Sequence, residues 1–132
     1  MKYLLTIYAD ERVWGEASPE FIQTNMTAYG ELGRAMREAG VHLGGEGLQP
    51  SNAATTVKVR DGETVITDGP FAETREQLGG YYLLDCRDLD DALGWAARIP
   101  GAATGTVEVR PVMDYEAMGL DRHEQAAESR QG

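Results

Sequence analysis

Apolar and polar residues alternate over Lys2–Tyr8, with Tyr3, Leu5 and Ile7 on one side and Leu4, Thr6 and Tyr8 on the other. This period of two predicts a strand with apolar or aromatic groups on both faces, so both faces need cover. The pattern then lengthens to a helical one. Ser18 is placed to cap a helix, Pro19 suits its first position and Glu20 favours its dipole, and the helix should run to about Ala39. Ile22, Met26, Tyr29 and Met36 form its apolar stripe, and Gly40 is placed to end it.

Val41–Leu48 reads as a glycine-rich strand that stops at Gln49-Pro50. Ala53–Arg60 is a clearer strand, with Thr55, Val57 and Val59 expected to face inward and Lys58 and Arg60 to face water. Asp61-Gly62, between TTVKVR and ETVIT, is the dipeptide a type I′ hairpin turn prefers, because both central residues need positive φ. Gly79–Cys86 resumes a strand that is nearly apolar on both sides. Asp88-Leu89-Asp90-Asp91 then opens a second helix, whose expected buried stripe is Leu89, Leu93, Ala96 and Ile99. Pro100-Gly101 ends it. The last strand, Gly105–Val112, sets Val107 and Val109 against Glu108 and Arg110.

The order of elements is that of an α+β fold, a ferredoxin-like split βαβ unit with an inserted hairpin. Two helices cover only one face of its sheet. The two-sided strands therefore predict a homodimer, in which a second copy packs sheet to sheet. Residues 1–113 form the predicted domain and 114–132 a polar C-terminal tail, in which Tyr115, Met118 and Leu120 are suited to dock a short turn. Asp121–Gly132 lacks large apolar residues and is expected to be mobile.

Charge narrows the functional classes. With 22 acidic against 12 basic residues, the formal charge of −10 disfavours direct nucleic-acid binding. The single cysteine, Cys86, rules out an intrachain disulfide and suits a reducing compartment. The N-terminal stretch has no signal-peptide pattern, and no 18-residue apolar span occurs, so the expected location is cytoplasmic with no membrane association. His42 and His123 lack partners at metal-ligand spacing, so neither a metal nor a cofactor is expected.

The densest motif is Thr64–Leu83. There Asp68-Gly69-Pro70-Phe71 is followed by Ala72-Glu73-Thr74-Arg75-Glu76 and Gly79-Gly80-Tyr81-Tyr82. These residues resemble the signature of the DGPF branch of the YCII-related proteins, over roughly residues 2 to 113. The resemblance implies a dimeric α+β barrel. It also implies a link to extracytoplasmic-function sigma factors, beside which DGPF-branch proteins are often encoded. In the wider group a His and an Asp are thought to act as a pair; neither histidine here matches that position, and His42 stands in only if the fold brings it near Asp68.

Candidate chemistry follows from the same residues. Asp68, at a strand end beside Gly69 and Pro70, is the candidate general base, although Asp-Gly-Pro is equally good turn chemistry with Phe71 plugging the core. Glu73 and Glu76 would share a face if their segment were helical, with Arg75 supplying a cation; a solvated charged run is the alternative. Glu108 and Arg110 should point toward the dimer cleft, as ligand-binding groups or as an interface salt bridge. Tyr81 and Tyr82 point to opposite faces, one into the helix-side core and one toward the cleft. Gly44-Gly45-Glu46-Gly47 lacks the ending of a phosphate loop and reads as a bulge or close strand approach. Cys86 reads as a buried, inert thiol.

The leading expectation is a small homodimer binding a polar metabolite between sheet and partner, lined by Asp68, Tyr81, Glu108, Arg110 and His42. Proton transfer by Asp68, with Arg110 stabilising a developing anion, is the catalytic extension. The alternative is a regulatory or interaction module without turnover, linked to a sigma factor through the acidic surface.

Overall fold

A computed structural model describes residues 1–120, so Asp121–Gly132, for which mobility is expected, lies outside the described residues. The chain runs β1 (Lys2–Ala9), α1 (Glu11–Gly15), α2 (Pro19–Glu38), β2 (His42–Gly47), β3 (Thr55–Arg60), β4 (Glu63–Asp68), β5 (Gln77–Asp85), α3 (Leu89–Ala97) and β6 (Thr106–Pro111). Short 3₁₀ turns at Ser51–Ala53 and Pro100–Ala102 complete it.

Four strands form one antiparallel sheet in the order β2-β5-β1-β6, while among the described residues β3 and β4 pair only with each other. Each helical crossover skips one strand: β1 reaches β2 through α2, and β5 reaches β6 through α3. This is an α+β architecture with split βαβ connections, and the sheet remains open.

Local chemistry sets the boundaries. The Ser18 hydroxyl accepts the Phe21 N–H at 3.1 Å and caps α2, and the Asp88 carboxylate accepts the Asp91 N–H at 2.9 Å and caps α3. Asp61 and Gly62 take φ of 54° and 79°, as the hairpin turn requires. The β2–β5 register shifts between His42 and Gly44. A methyl group on Gly45 would lie 2.8 Å from both the Tyr81 carbonyl oxygen and Tyr82 Cδ1, so the strands approach closely here.

The core lies between the sheet and α2 and α3. Tyr3, Leu5, Ile7 and Leu84 from the strands meet Leu32 and Met36 of α2 and Ala92, Ala96 and Ile99 of the α3 region. Tyr29 and Tyr82 pack against this cluster, and burial pushes both phenols up. The Tyr29 hydroxyl accepts the Gly101 N–H at 3.1 Å and fastens α2 to the turn before β6.

Several expected contacts differ. Leu89 and Leu93 are exposed, because α3 turns its small Ala92 and Ala96 to the sheet and so lies close to it. Ile22 and Met26 are also exposed. A 20-residue helix spans about 30 Å, against about 20 Å for a six-residue strand, so α2 outruns the core. Val57 and Val59 do not face inward: the β3–β4 hairpin is a separate arm, and both are 60% exposed. Phe71 does not plug the core either. It is 86% exposed, beyond a reversal at Gly69 where φ is 98°. The sequence reading also missed α1, which is capped by Asp10.

Candidate functional site

Cross-strand register fixes which residues share the sheet face that the helices leave open. Glu46 pairs with Tyr81, Tyr81 with Thr6, and Thr6 with Glu108, which makes one row across all four strands. The next row is Gly44, Leu83, Leu4 and Arg110. Tyr81, Glu108 and Arg110 thus stand on the face anticipated for them. Arg110 donates to Glu108 Oε1 at 3.0 Å, which makes the two an ion pair along one strand. Glu46 and Thr6 join them; Glu46 lies in the glycine run read only as a bulge, and Thr6 was not a candidate.

His42 is elsewhere. It pairs with the buried Leu84, and its ring meets Tyr82 edge-on at 6.2 Å on the helix side of the sheet. It does not line the cleft that holds Asp68.

That cleft has a volume of about 630 Å³ and gathers three separate segments. They are Asp10–Arg12 at the start of α1, Ser51 and Asn52 before β3, and the run from Asp68 to Gln77. Each is tied in place. Both oxygens of Glu11 accept the Ser51 N–H at 3.1 Å, joining α1 to the turn before the arm. The Gly69 N–H donates to the Ala54 carbonyl at 2.7 Å, and the Thr56 hydroxyl donates to the Gly69 carbonyl at 2.7 Å. The Gln77 side-chain amide donates to the carbonyls of Ala72 and Thr74, folding the 72–76 run back on β5. That run is not helical, so Glu73 and Glu76 do not share a helical face. Glu76 instead accepts the Thr106 hydroxyl at 2.8 Å.

Asp10 dominates the electrostatics. Arg12 donates to it through its backbone N–H, Nε and Nη2, the last at 2.6 Å, and Arg75 Nε lies 3.7 Å away. The Arg12 side-chain hydrogen bonds, then its backbone N–H, hold the Asp10 carboxyl well below the usual carboxylate range. The same bonds push Arg12 up. Asp10 is therefore a fixed anion, unsuited to proton transfer near neutral pH. The Arg75 side chain is 84% exposed while its Nε approaches Asp10. Asp68 forms no hydrogen bond or ion pair through its side chain among the described residues. The cleft thus offers two carboxylates without a side-chain partner among the described residues, Asp68 and Glu73, and one exposed guanidinium across polar walls, an arrangement suited to a small polar molecule.

A second hollow, of about 470 Å³, lies on α3 between Arg87, Asp91, Trp95 and Arg98 and contains none of the sequence candidates. Cys86 is buried, and burial followed by the charges of Asp91 and Asp85 pushes its thiol up. Among the described residues, no group of three or more His, Cys, Asp or Glu side chains is gathered as a metal site would need. No helix there is long and apolar enough to cross a membrane.

An antiparallel α+β sheet with one open face and a polar cleft at its end defines the class, and the comparisons supply the family. The YCII-related domain matches residues 1–116, and the chain belongs to that family. It is also similar to a protein of Rhizobium meliloti (strain 1021) named Uncharacterized protein R00369. The two are 40% identical over 121 residues, 88% of this chain and 95% of that protein.

Proposed function

We propose that the protein is a DGPF-branch member of its family that works in the cytoplasm as a homodimer of ferredoxin-like subunits, paired as a dimeric α+β barrel, and binds a small polar metabolite. The observation that carries this reading is the cleft lined by Asp68, Arg75 and the Arg12–Asp10 pair. In it, Arg75 holds an acidic or carbonyl oxygen of the ligand, and Asp68 accepts a proton or a hydrogen bond from the opposite side. The second copy covers the open face, where Tyr81, Glu108 and Arg110 stand apart from the end cleft.

Native mass spectrometry of the purified protein tests this directly. The expected result is a dimer that carries added small-molecule mass, reduced at least tenfold in occupancy by Arg75→Gln and by Asp68→Asn. A dimer without retained mass, and with no metabolite protecting Arg75 from modification, would favour the interaction module instead. In that case the net charge of −10 would meet a basic partner such as a sigma factor, recoverable by pull-down at physiological salt.

A further inference from the structure

The end cleft is unevenly charged, and the imbalance selects a class of ligand. Four carboxylates, Asp10, Glu11, Asp68 and Glu73, line it against two guanidiniums, Arg12 and Arg75. Two of the acids are already engaged. Asp10 holds Arg12 at 2.6 Å, and both oxygens of Glu11 accept the Ser51 N–H. Among the described residues, Asp68 and Glu73 have no hydrogen bond or ion pair through their side chains. Arg75 Nε stands 3.7 Å from Asp10, whose charge Arg12 already offsets, so Arg75 keeps its own for a ligand.

Each charge class of ligand meets these groups differently. A dianion, whether a dicarboxylate or a phosphate, finds one exposed guanidinium and two carboxylates that repel it. The net charge of −10 adds to the bias against anions. A simple cation leaves Arg75 unanswered, and a neutral molecule leaves all three groups without an opposite charge. A ligand that carries both signs satisfies Asp68, Glu73 and Arg75 together. The form of its cation follows from the walls. Among the described residues no aromatic side chain lines the cleft, so a quaternary ammonium lacks the ring faces that bind it. A primary ammonium instead donates hydrogen bonds that carboxylates accept. We propose that the cleft takes an aminocarboxylate, a zwitterion whose carboxylate is held by Arg75 and whose primary ammonium is held by Asp68 and Glu73.

This inference rests on the cleft proposed above as the metabolite site, and the choice of probes separates the two. Binding of β-alanine, γ-aminobutyrate and δ-aminovalerate is measured by ligand-observed NMR titration, each beside the monocarboxylate, the monoamine and the dicarboxylate of the same chain length. The full chain is compared with Arg75→Gln and with Asp68→Asn/Glu73→Gln, whose positions are exposed, and circular dichroism confirms that all of them fold. The expected result is an aminocarboxylate that binds about tenfold more tightly than its monocarboxylate and its dicarboxylate. Arg75→Gln should bring that affinity down to the level of the monoamine, and the double change to the level of the monocarboxylate. A dicarboxylate or monocarboxylate that binds as tightly as the aminocarboxylate, and is weakened by Arg75→Gln, overturns the zwitterion while leaving the cleft as a binding site. A monoamine that binds as tightly, and is weakened by the double change, does the same. If no probe binds, or if binding ignores both variants, the zwitterion and the cleft fall together.

Discussion

The close approach of β2 to β5 gives the sharpest test of the fold, through two glycines in one tetrapeptide. A methyl on Gly45 would sit 2.8 Å from the Tyr81 carbonyl oxygen and 2.8 Å from Tyr82 Cδ1, with Tyr82 Cα at 3.4 Å. A methyl on Gly47 meets nothing within 4 Å, and that residue has no positive φ. Gly45→Ala must therefore push β2 away from a backbone oxygen and a half-buried ring, at an overpacking cost of about 2 kcal/mol. Gly47→Ala relieves the unfolded chain of entropy without a clash and should be neutral or stabilising by about 0.5 kcal/mol. Unfolding entropy of about 2.1 cal/mol/K per residue gives roughly 0.25 kcal/mol/K for a domain of this size, so the first change lowers Tm by about 8 °C and the second raises it by about 2 °C. The assay is thermal unfolding followed by circular dichroism, with all variants at one protein concentration because association shifts Tm. Equal Tm values for Gly45→Ala and Gly47→Ala would refute the strand approach and the β2–β5 register with it.

The remaining predictions probe the core, the cleft and the thiol. Leu5→Ala removes a fully buried side chain from the middle of β1 and should cost about 3 kcal/mol, read as a lower urea midpoint with unchanged slope; a cost under about 1 kcal/mol would contradict the buried placement. Asp10 is held below its ordinary value of 3.8, so its contribution to stability is complete above that pH and fades as the pH falls toward the lower folded value. The stability gap between wild type and Asp10→Asn should therefore be widest near neutrality and close below pH 3.8, and a gap that widens in acid would reverse the assignment. Cys86 should react slowly with a disulfide reagent at pH 8 in the native protein and quickly in urea; fast native reaction would place the thiol at the surface.

What the sequence disclosed and what it hid follow one physical division. Local chemistry was legible. Ser18 and Asp88 cap the helices they precede, Asp61-Gly62 turns the hairpin, and the Gly44–Gly47 run marks a register shift and close strand contact. Each of these depends on residues a few positions apart. Helix phase was less legible, since a period of 3.6 fixes which residues share a face without fixing which face packs. In α3, Leu89 and Leu93 compete with Ala92 and Ala96, and the smaller pair wins because it lets the helix lie close to the sheet. The cleft was legible only in part, since Asp68, Glu73 and Arg75 were singled out by their motif while Asp10 and Ser51 were not. Asp10, Ser51 and Asp68 lie 41 and 17 positions apart, and only the tertiary ties of Glu11 to Ser51 and of Gly69 to Ala54 bring their segments together.

The error over the arm carries the most functional weight. Alternation in Thr55–Val59 identified an apolar face correctly, since Val57, Val59 and Ile66 do share one side of the hairpin. The inference that this face turns inward assumed that the strand belongs to the main sheet. It does not, and among the described residues no further strand pairs with the arm, whose apolar face stays exposed. Meanwhile the residues nominated for one site fall on two surfaces, Asp68 in the end cleft and Tyr81, Glu108 and Arg110 on the open sheet face. The two groups answer to different physics, since register alone sets the row across the sheet, whereas Asp68 reaches its cleft through the ties of Gly69 to Ala54 and Thr56.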